Sequence, residues 1–437
     1  MNRKMTAVVG IAAAASLALG ACSSGGDEVE ANPFPTGDVT ISMSSWSLAT
    51  TPEFQKLADG FHALHPNVTV ELKEYDAAQY DTLLQADLAA QSAPDILTQK
   101  TFKMYYQYSI DGALLDVSDV AASLPETTNG TGSFSIDGVS YGVPYRQDAW
   151  VLYYNKDLFE KAGVDEPDGT WTWDDYADAA KALKQGLAAA GDDAYGTYEH
   201  SWQSTLQGFA NAQTPGADIL SGDYGYLKDW YERILDLQTA GAQVDLGTIT
   251  TNKLTYQANF GKQDAAMMPM GTWYVATLLA QRKSGDADTF NWGIAPIPQY
   301  DSSTTGTDKT PVTFGDPTGL AINAAISDGD KLAVAKAFIA WAAGPEAAKI
   351  LAGIGITPAN TADEVVSIYF GQNGMPADEL SKFAWAKHTI KPENPVSEHT
   401  AEVQNLLNAL HTAVLAGGSN IDTEIANAED QAKTVLS

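Results

Sequence analysis

The amino-acid sequence predicts an α/β fold with a largely parallel sheet, because short strands alternate with amphipathic helices from residue 39 onward. Residues 39–45 read Val-Thr-Ile-Ser-Met-Ser-Ser, an alternating and β-branched run that is typical of a strand. Pro52 and Glu53 have the pattern of a helix start, and apolar residues follow at helical spacing from 54 to 64. A His-Pro-Asn stop then precedes a second strand at 68–72.

The same alternation continues with a helix at 79–91 and a strand at 94–98. In parallel sheets ligands bind beyond the carboxyl ends of the strands. The residues that directly follow the first and third predicted strands are therefore candidate ligand contacts, and these are Trp46, Ser47, Gln99 and Lys100.

The rest of the chain keeps this organisation and contains no sequence repeat. A hairpin is predicted around residues 136–139, and further strands are predicted at 150–154, 265–268 and 291–294. Helices are predicted at 172–185, 226–240, 333–343, 345–352, 402–415 and 423–435.

The amino terminus has the features of an export signal. Arg3 and Lys4 precede an uncharged, Ala- and Leu-rich stretch at 7–20. This stretch is shorter than the roughly 20 apolar residues that a spanning helix needs. It fits the apolar region of a signal peptide, so residues 1–21 are predicted to be removed.

Cys22 is the predicted lipidation site. The sequence Leu-Gly-Ala-Cys that ends at Cys22 resembles the bacterial lipoprotein box, in which the cysteine is acylated and becomes the new amino terminus. It is the only cysteine, so no disulfide can form within the chain. Residues 22–37 show no periodicity and are predicted to be a flexible lipidated tether. The expected location is the extracellular face of the cell membrane; the alternative is an ordinary signal peptide with a chance cysteine.

The charge balance excludes several partners. The chain has 25 Lys and Arg residues against 55 Asp and Glu residues, a formal net charge of −30. Nucleic-acid binding needs a basic surface, and so does electrostatic docking on anionic lipid. We therefore expect no nucleic-acid partner and interpret the acidic residues mainly as a solvated, solubilising surface.

Five groups of segments occur in an order that is characteristic of one family. They are residues 61–70, which read FHALHPNVTV; 88–96, LAAQSAPDI; 138–144, GVSYGVP, with LYYNKDLFEKAG at 152–163 and WTWDDY at 171–176; 260–273, FGKQDAAMMPMGTW; and 319–323, GLAIN, with AFIAW at 337–341. Together these segments resemble the extracellular solute-binding proteins of ATP-driven sugar importers, the group that includes maltose-binding protein. The resemblance covers nearly everything after residue 38.

The resemblance implies a type II periplasmic-binding-protein fold, in which the chain crosses a hinge between two α/β lobes three times. The crossings are expected near 146–149, 314–318 and 353–358. Lobe one would hold residues 38–147 plus 318–354, and lobe two residues 148–317 plus 355–437. The family also implies a monomer that delivers its ligand to the permease subunits of an ABC transporter.

The resemblance points most directly to Trp273 and Asp148. The family has a sugar-stacking aromatic residue after the strand that precedes Trp273, and the alternative is a core tryptophan. It often has an acid that binds sugar hydroxyls at the place of Asp148, seven residues before Asn155. Here the alternative is a salt bridge to Arg146.

The other candidate site residues lie near the carboxyl ends of strands or on a crossing. His200 and Trp202 fall where the second lobe of the family offers aromatic side chains. Phe314, Gly315 and Asp316 lie on the second crossing, where the alternative is a structural turn. The loop after the first strand lacks the acid and base pair of some sugar-binding relatives, so the sequence leaves the identity of the sugar open.

The predicted function is capture of a carbohydrate, expected to be an oligosaccharide, in a cleft between the lobes. No enzymatic motif, metal site or cofactor is predicted: His62 and His65 share a helical face, but the sequence shows no third ligand. Three alternatives stay open, namely a receptor for a non-sugar solute, a cell-surface glycoside hydrolase with two carboxylates, and an adhesin. A deep cleft lined by Trp273, Trp46 and Asp148 would count against the adhesin.

Overall fold

The computed structural model describes residues 31–417 and 419–437. The predicted signal peptide, the lipidation site at Cys22 and the first part of the predicted tether lie outside the described residues. Within the described part, no helix is both long enough and apolar enough to cross a membrane.

The strands lie close to the predicted positions. In chain order they are β1 (Val39–Ser45), β2 (Val68–Glu74), β3 (Ile96–Gln99), β4 (Ser135–Ile136), β5 (Val139–Ser140), β6 (Val143–Arg146), β7 (Trp150–Asn155), β8 (Tyr195–Thr197), β9 (Ala265–Gly271), β10 (Trp292–Pro296), β11 (Val312–Phe314), β12 (Thr318–Ile322) and β13 (Thr389–Lys391).

The helices cover the predicted segments and several shorter ones. They are α1 (Glu53–Leu64), α2 (Tyr80–Ala89), α3 (Tyr105–Ile110), α4 (Ser118–Ser123), α5 (Lys156–Ala162), α6 (Trp173–Ala189), α7 (Phe209–Gln213), α8 (Lys228–Thr239), α9 (Leu246–Asn252), α10 (Tyr256–Gly261), α11 (Tyr274–Ser284), α12 (Gly329–Ala342), α13 (Pro345–Ala352), α14 (Asp363–Phe370), α15 (Glu379–Ala386), α16 (Thr400–Leu415) and α17 (Ile421–Val435).

The strands form two main sheets. The first has the order β2-β1-β3-β12-β6 and the second the order β10-β7-β9-β8. A short parallel pair joins β11 to β13, and β4 and β5 form a hairpin. We call the body around the first sheet lobe one and the body around the second sheet lobe two.

Each sheet has its own hydrophobic core. The core of lobe one includes Ile41, Phe54 and Leu320, and that of lobe two includes Tyr153, Phe209 and Met268. The chain passes from the first sheet to the second between β6 and β7, returns between β11 and β12, and leaves lobe one again after α13. The prediction of an α/β fold with two lobes and three crossings is therefore confirmed, whereas the exact residue limits of each lobe stay a prediction.

The expectation of a largely parallel sheet holds only for part of lobe one. There β1 is parallel to β2 and β3, but β12 is antiparallel to both β3 and β6. In lobe two β7 is antiparallel to β9 and β10, and only β8 and β9 are parallel. The hinge explains this difference. A strand that enters a sheet from the other lobe begins at the end of the sheet next to the hinge, whereas a strand that follows a helix of the same lobe begins at the opposite end.

Several helix ends show why the sequence folds as it does locally. The side chain of Thr172 accepts a hydrogen bond from the backbone N–H of Asp175, and the Asp175 carboxylate accepts one from the N–H of Thr172, which forms a capping box at the start of α6. Asn155 caps α5 through the N–H of Leu158, and Gly163 ends that helix with a φ of 68°. These caps define the ends of two of the helices that pack on the second sheet.

Gly196 tests the packing of α6 on β8. A Cβ atom at this position would lie 1.9 Å from the carbonyl oxygen of Ala180, so Gly196→Ala must push the helix away from the strand. We expect it to lower the free energy of unfolding by about 1–3 kcal/mol or more in urea titrations followed by tryptophan fluorescence. Gly132→Ala is the matched control, because no heavy atom lies within 4 Å of its added Cβ. Equal stability of the two variants would contradict this packing.

Candidate functional site

A buried ion network occupies the first crossing between the lobes. Arg146 donates from Nη1 to Glu53 Oε2 at 2.6 Å and from Nε to Asp148 Oδ2 at 2.5 Å. Tyr145 donates from its hydroxyl to the second Glu53 oxygen at 2.5 Å, and Thr272 donates to Asp148 Oδ1 at 2.8 Å. The network therefore links the start of α1 in lobe one to the end of β9 in lobe two.

The guanidinium of Arg146 keeps its charge despite burial. Burial disfavours the charged guanidinium of Arg146, but Asp148 and then Glu53 outweigh this effect and raise the pKa of Arg146 above its ordinary value. Burial, followed by the nearby Glu53 carboxylate, raises the pKa of Tyr145 well above its usual range, so this hydroxyl stays protonated. Glu53 lies in the first turn of α1, where the helix dipole also favours a negative charge.

The predicted residues of lobe one are more deeply packed than expected. Trp46 is only 8% exposed and makes edge-to-face contacts with Phe54 and Tyr80 at centroid distances of 4.8 and 5.1 Å. The ammonium of Lys100 lies 5.7 Å from the centroid of the Trp46 ring and donates to the carbonyl of Ala77 at 2.5 Å. In lobe one Trp46, beside Lys100, therefore presents little of its ring to a ligand and no free aromatic face.

The side chain of Gln99 and the backbone carbonyl of Ser47 both make local hydrogen bonds. Gln99 ends β3, opposite Gly319 of β12, and is 2% exposed with its amide directed to the carbonyl of Leu97. Its side chain is therefore almost fully buried in this structure, and its role as a ligand contact stays a prediction. Ser47 has a φ of 54°, and its carbonyl accepts the N–H groups of Thr50 and Thr51 in the turn after β1.

Lobe two presents a group of aromatic side chains that we call the aromatic wall: His200, Trp202, Tyr256 and Trp273. Trp202 is 41% exposed and lies 4.6 Å from His200 and 5.5 Å from Tyr256 between ring centroids. Burial raises the pKa of Tyr256 to about 12, and a hydrogen bond with Trp273 partly opposes this rise. The structure thus brings together three predicted residues and adds Tyr256.

The loop that carries His200 and Trp202 is held by buried polar contacts. Gln243 accepts from the N–H of Glu199 at 2.8 Å and donates to its carbonyl at 2.9 Å. Thr205, in a π-helical turn at Ser204–Gly208, donates to the carbonyls of His200 and Trp202. Burial lowers the pKa of the His200 imidazole to about 4, so this ring is neutral at pH 7.

Phe314, a predicted site residue on the second crossing, packs beneath the aromatic wall in this structure. Its ring is fully buried and stacks on Trp150 at 5.1 Å with an interplanar angle of 25°. Trp150 in turn meets Trp273 edge to face at 5.3 Å, so Phe314 supports the aromatic wall from beneath and offers no surface to a ligand. Gly315 allows the close approach of two crossings, since a Cβ there would lie 2.8 Å from the carbonyl oxygen of Asp148.

Asp316 joins three segments instead of pointing freely into a cleft. Its carboxylate accepts from the N–H of Phe102 in lobe one at 3.1 Å, from the N–H groups of Glu393 and Asn394 at 3.0 and 3.1 Å, and from the Asn394 amide at 2.6 Å. This corresponds to the structural alternative for Asp316, because its lone pairs are already used.

Glu393 is a titratable group that the sequence did not single out. Burial raises the pKa of its carboxyl group to about 7, and the neighbouring Asp316 adds to this effect, while a hydrogen bond from Ser204 and the charge of Lys103 oppose it. Lys103 extends from lobe one and donates to Asn405 of α16 at 2.7 Å. These side chains therefore connect the two lobes beside the hinge.

A cavity of about 730 Å³ lies against all three crossings, and it is not lined by the aromatic wall. Its lining includes Gln147 and Ala149 of the first crossing. Thr272, which donates to Asp148, also lines it, so the cavity adjoins the ion network. Within residues 31–417 and 419–437, no group of three or more His, Cys, Asp and Glu side chains is placed to hold a metal ion.

The fold and the hinge agree with what the sequence comparisons find. The family profile described as bacterial extracellular solute-binding protein matches residues 46–349, which is more than half of the chain. The chain therefore belongs to this family of binding proteins, as the sequence segments predicted.

Individual relatives show how far the similarity extends. A Brucella abortus protein named as a binding protein is 26% identical over 305 residues, which are 62% of this chain and 66%, slightly under two thirds, of the relative. The sn-glycerol-3-phosphate-binding periplasmic protein UgpB of Escherichia coli is 31% identical over 170 residues, 36% of each chain. The crystal structure of a sugar transporter from Rhizobium etli in an open conformation has a TM-score of 0.75 and 31% identity, and the alignment covers 90% of this chain and 99% of that one.

Sequence reasoning missed Arg146, Glu53, Tyr256 and Glu393 as members of the site region. Arg146 entered only as the partner in an alternative for Asp148, although an arginine between a strand and the acid of a crossing is a usable signal. Glu53 and Tyr256 start helices far along the chain from the crossing, so only the folded chain brings them there.

Titration of Glu393 should be visible in the stability of the protein. Because its pKa is higher in the folded than in the unfolded chain, folding binds a proton between these two values, and stability falls as pH rises towards 7. We expect the stability of the native chain relative to Glu393→Gln to drop by about 2 kcal/mol between pH 5 and 7.5 in urea titrations. Parallel pH profiles of the two proteins would contradict the raised pKa.

Proposed function

We propose that this chain captures a carbohydrate between its lobes and delivers it to the permease of an ABC transporter. The observation that carries the proposal is the aromatic wall of lobe two, with exposed Trp202 beside Tyr256 and Trp273. In lobe one Lys100 lies beside the Trp46 ring, and the ion network occupies the first crossing between the lobes. We expect Trp273 to contact the ligand first. The Asp148 carboxylate already accepts from Arg146 and Thr272, as in the salt-bridge alternative, so it acts on the ligand mainly by holding Arg146.

Sugar chemistry fits these groups. A sugar ring offers apolar C–H faces, which pack on flat aromatic rings, and hydroxyl groups, which bond to planar or charged side chains. An aromatic contact contributes about 0.5–1.5 kcal/mol beyond area burial, and a hydrogen bond about 1 kcal/mol. Three or four contacts of each kind would reach micromolar affinity, about −8 kcal/mol. An aromatic wall of several adjoining rings favours an oligosaccharide over a single sugar.

Delivery would depend on closure of the lobes around the hinge. A ligand that contacts both lobes only in the closed form stabilises that form by the free energy of the extra contacts. The permease would then recognise the closed form, in which the lobe surfaces have a fixed relative position. The similarity to the Rhizobium etli sugar transporter supports both the ligand class and this use of the fold.

The carboxylates near the hinge favour a receptor over a glycoside hydrolase. A retaining or inverting hydrolase needs one free acid with a raised pKa and a second free carboxylate. Glu53 and Asp148 are both paired with Arg146. Glu393 has a raised pKa, but it accepts from Ser204, and its neighbour Asp316 already accepts four hydrogen bonds, so the raised acid has no second free carboxylate beside it. Incubation with oligosaccharides and chromatography should therefore yield no cleaved products, and cleavage would overturn the receptor proposal.

A second candidate is a receptor for a phosphorylated polyol. The local similarity to the sn-glycerol-3-phosphate-binding protein UgpB favours it, over 36% of the chain. Calorimetry with sn-glycerol 3-phosphate alongside neutral oligosaccharides distinguishes the two candidates.

The aromatic wall can be tested with single substitutions. Trp202→Ala and Trp273→Ala should each weaken binding of the best glycan from an array by at least tenfold, about 1.4 kcal/mol by calorimetry, because each removes a stacking surface. Tyr300→Ala is the control, since Tyr300 is 46% exposed and lies after β10, outside the aromatic wall. Unchanged affinity of a tryptophan variant would remove that residue from the site.

Membrane attachment at the extracellular face is a separate part of the proposal and depends on Cys22. Cys22→Ser should abolish acylation, because the thiol that would carry the lipid is lost, and should shift the protein from the membrane to the soluble fraction. Mass spectrometry of the mature amino terminus and cell fractionation measure both effects, with Ser23→Ala as control. A Cys22→Ser protein that stays in the membrane fraction would exclude this anchor.

A further inference from the structure

Arg146 has hydrogen-bonding capacity that the hinge does not use. A guanidinium carries five N–H donors, and only Nε and Nη1 have acceptors among the described residues. The side chain is 10% exposed, and its second terminal nitrogen, Nη2, is not fully buried. The N–H groups of this nitrogen are available to an acceptor that enters from solvent.

These donors lie between the two lobes. Burial is the main cause of the lowered pKa of Lys100 in lobe one; Asp81 opposes it, and the positive charge of Arg146 adds to it. Burial likewise dominates the raised pKa of Tyr256 in lobe two; Arg146 opposes this rise and Asp148 adds to it. Arg146 also bonds directly to Glu53 of lobe one and to Asp148, which Thr272 of lobe two holds, and this is the position expected for the floor of a cleft.

The charge of this floor is not positive. Glu53 and Asp148 each bond directly to Arg146, so one guanidinium is matched by two carboxylates and the three side chains sum to −1. The other nearby cation, Lys100, donates to the carbonyl of Ala77 and faces Asp81. An incoming anion would therefore meet N–H donors whose positive charge is already balanced by the two carboxylates. Because the site is partly buried, the remaining negative charge would repel the anion strongly.

We propose that Arg146 is a specificity-determining ligand contact, and that its compensation by Glu53 and Asp148 makes the site select uncharged oxygen acceptors over anionic ones. The inference rests on the proposed function, because it assigns a charge class to the ligand of the same cleft. It adds Arg146 as a contact and excludes uronates, sugar phosphates and phosphorylated polyols as preferred ligands.

The orientation of the fork explains why an arginine is needed. Its donors lie on three nitrogen atoms in one rigid plane, so they reach Glu53 and Asp148 in two directions and still leave an edge free, whereas the three donors of an ammonium share one nitrogen. Both partners are fixed from behind, Glu53 by Tyr145 and Asp148 by Thr272. The free edge therefore has a defined direction before any ligand binds, which lowers the entropic cost of binding.

The test compares ligands that differ only in charge. An array of neutral glycans, each printed beside its uronate or phosphate counterpart, identifies the best pair, and calorimetry then gives both dissociation constants together with that of sn-glycerol 3-phosphate. We expect the neutral glycan to bind at least tenfold more tightly than its anionic counterpart.

Glu53→Gln is the informative variant, because it removes one negative charge from the floor and keeps a side chain of the same shape. It should lower the ratio of the dissociation constant of the anionic glycan to that of the neutral glycan by about tenfold. Glu379→Gln is the matched control: it makes the same chemical change on a side chain that is 94% exposed, in α15 of lobe two, and should leave the preference unchanged.

A second variant keeps the proposal testable if Glu53→Gln does not fold. Arg146→Lys retains the charge but loses the fork, so the affinity for the neutral glycan should fall at least tenfold while its preference over the anion persists. A purely structural Arg146 would instead change the melting temperature and leave both the affinity of the folded protein and the ratio of the two constants as they are.

The outcomes separate this inference from the proposed function. Three results overturn the role of Arg146 while carbohydrate capture stands. The first is equal binding of both members of a pair, and the second is tighter binding of the anionic glycan. The third is an unchanged ratio of the two dissociation constants in Glu53→Gln together with unchanged affinity in Arg146→Lys. Binding of sn-glycerol 3-phosphate with no binding of any glycan overturns both.

Discussion

The buried charge of Arg146 constrains the arrangement of everything around the hinge. Arg146 lies on the first crossing and is bonded at once to Glu53, at the start of α1 in lobe one, and to Asp148, which Thr272 of lobe two also holds. Removal of one partner from such a buried network leaves an uncompensated charge and typically costs about 3–5 kcal/mol. The start of α1, the end of β6 and the residue after β9 are therefore held together at the hinge itself.

Rigidity and motion have different locations in this fold. Each lobe has its own sheet and hydrophobic core, so each can move as a unit. The aromatic wall has a firm foundation, because Phe314 and Trp150 stack beneath Trp273 and Gln243 fixes the backbone of the loop that carries Trp202. Polar contacts between the lobes are concentrated beside the crossings, where Asp316 and Lys103 connect the loop after β3 to segments of lobe two. Polar contacts of this kind are easier to exchange for water than a packed apolar interface, which suits a hinge.

Local patterns predicted the elements well, and the departures from expectation have a common physical origin. β1 lies at the predicted residues, and α1 starts directly after Pro52, because alternation and helix-start signals are properties of neighbouring residues. Strand direction in lobe two was not predictable in this way, since it depends on which lobe the chain has just left. Trp46, Gln99 and Phe314 follow or end strands as expected, yet the first packs on Phe54 and Tyr80 and the other two are enclosed. Position at a strand end does not reveal which way a side chain faces when two lobes and a hinge share its surroundings.

The sequence alone determined the order of strands and helices, the family and its two-lobed fold, and the aromatic candidates Trp202 and Trp273, because each of these is encoded in contiguous residues or in a recurring series of motifs. Only the tertiary structure decided that Arg146 is shared by two carboxylates, that Tyr256 adjoins the aromatic wall, and that Asp316 is a structural link. Glu53 and Arg146 are 93 positions apart in sequence, and Asp148 and Thr272 are 124 apart. Charge compensation over such separations arises only when the folded backbone brings the groups within hydrogen-bonding distance, where burial makes their pairing obligatory.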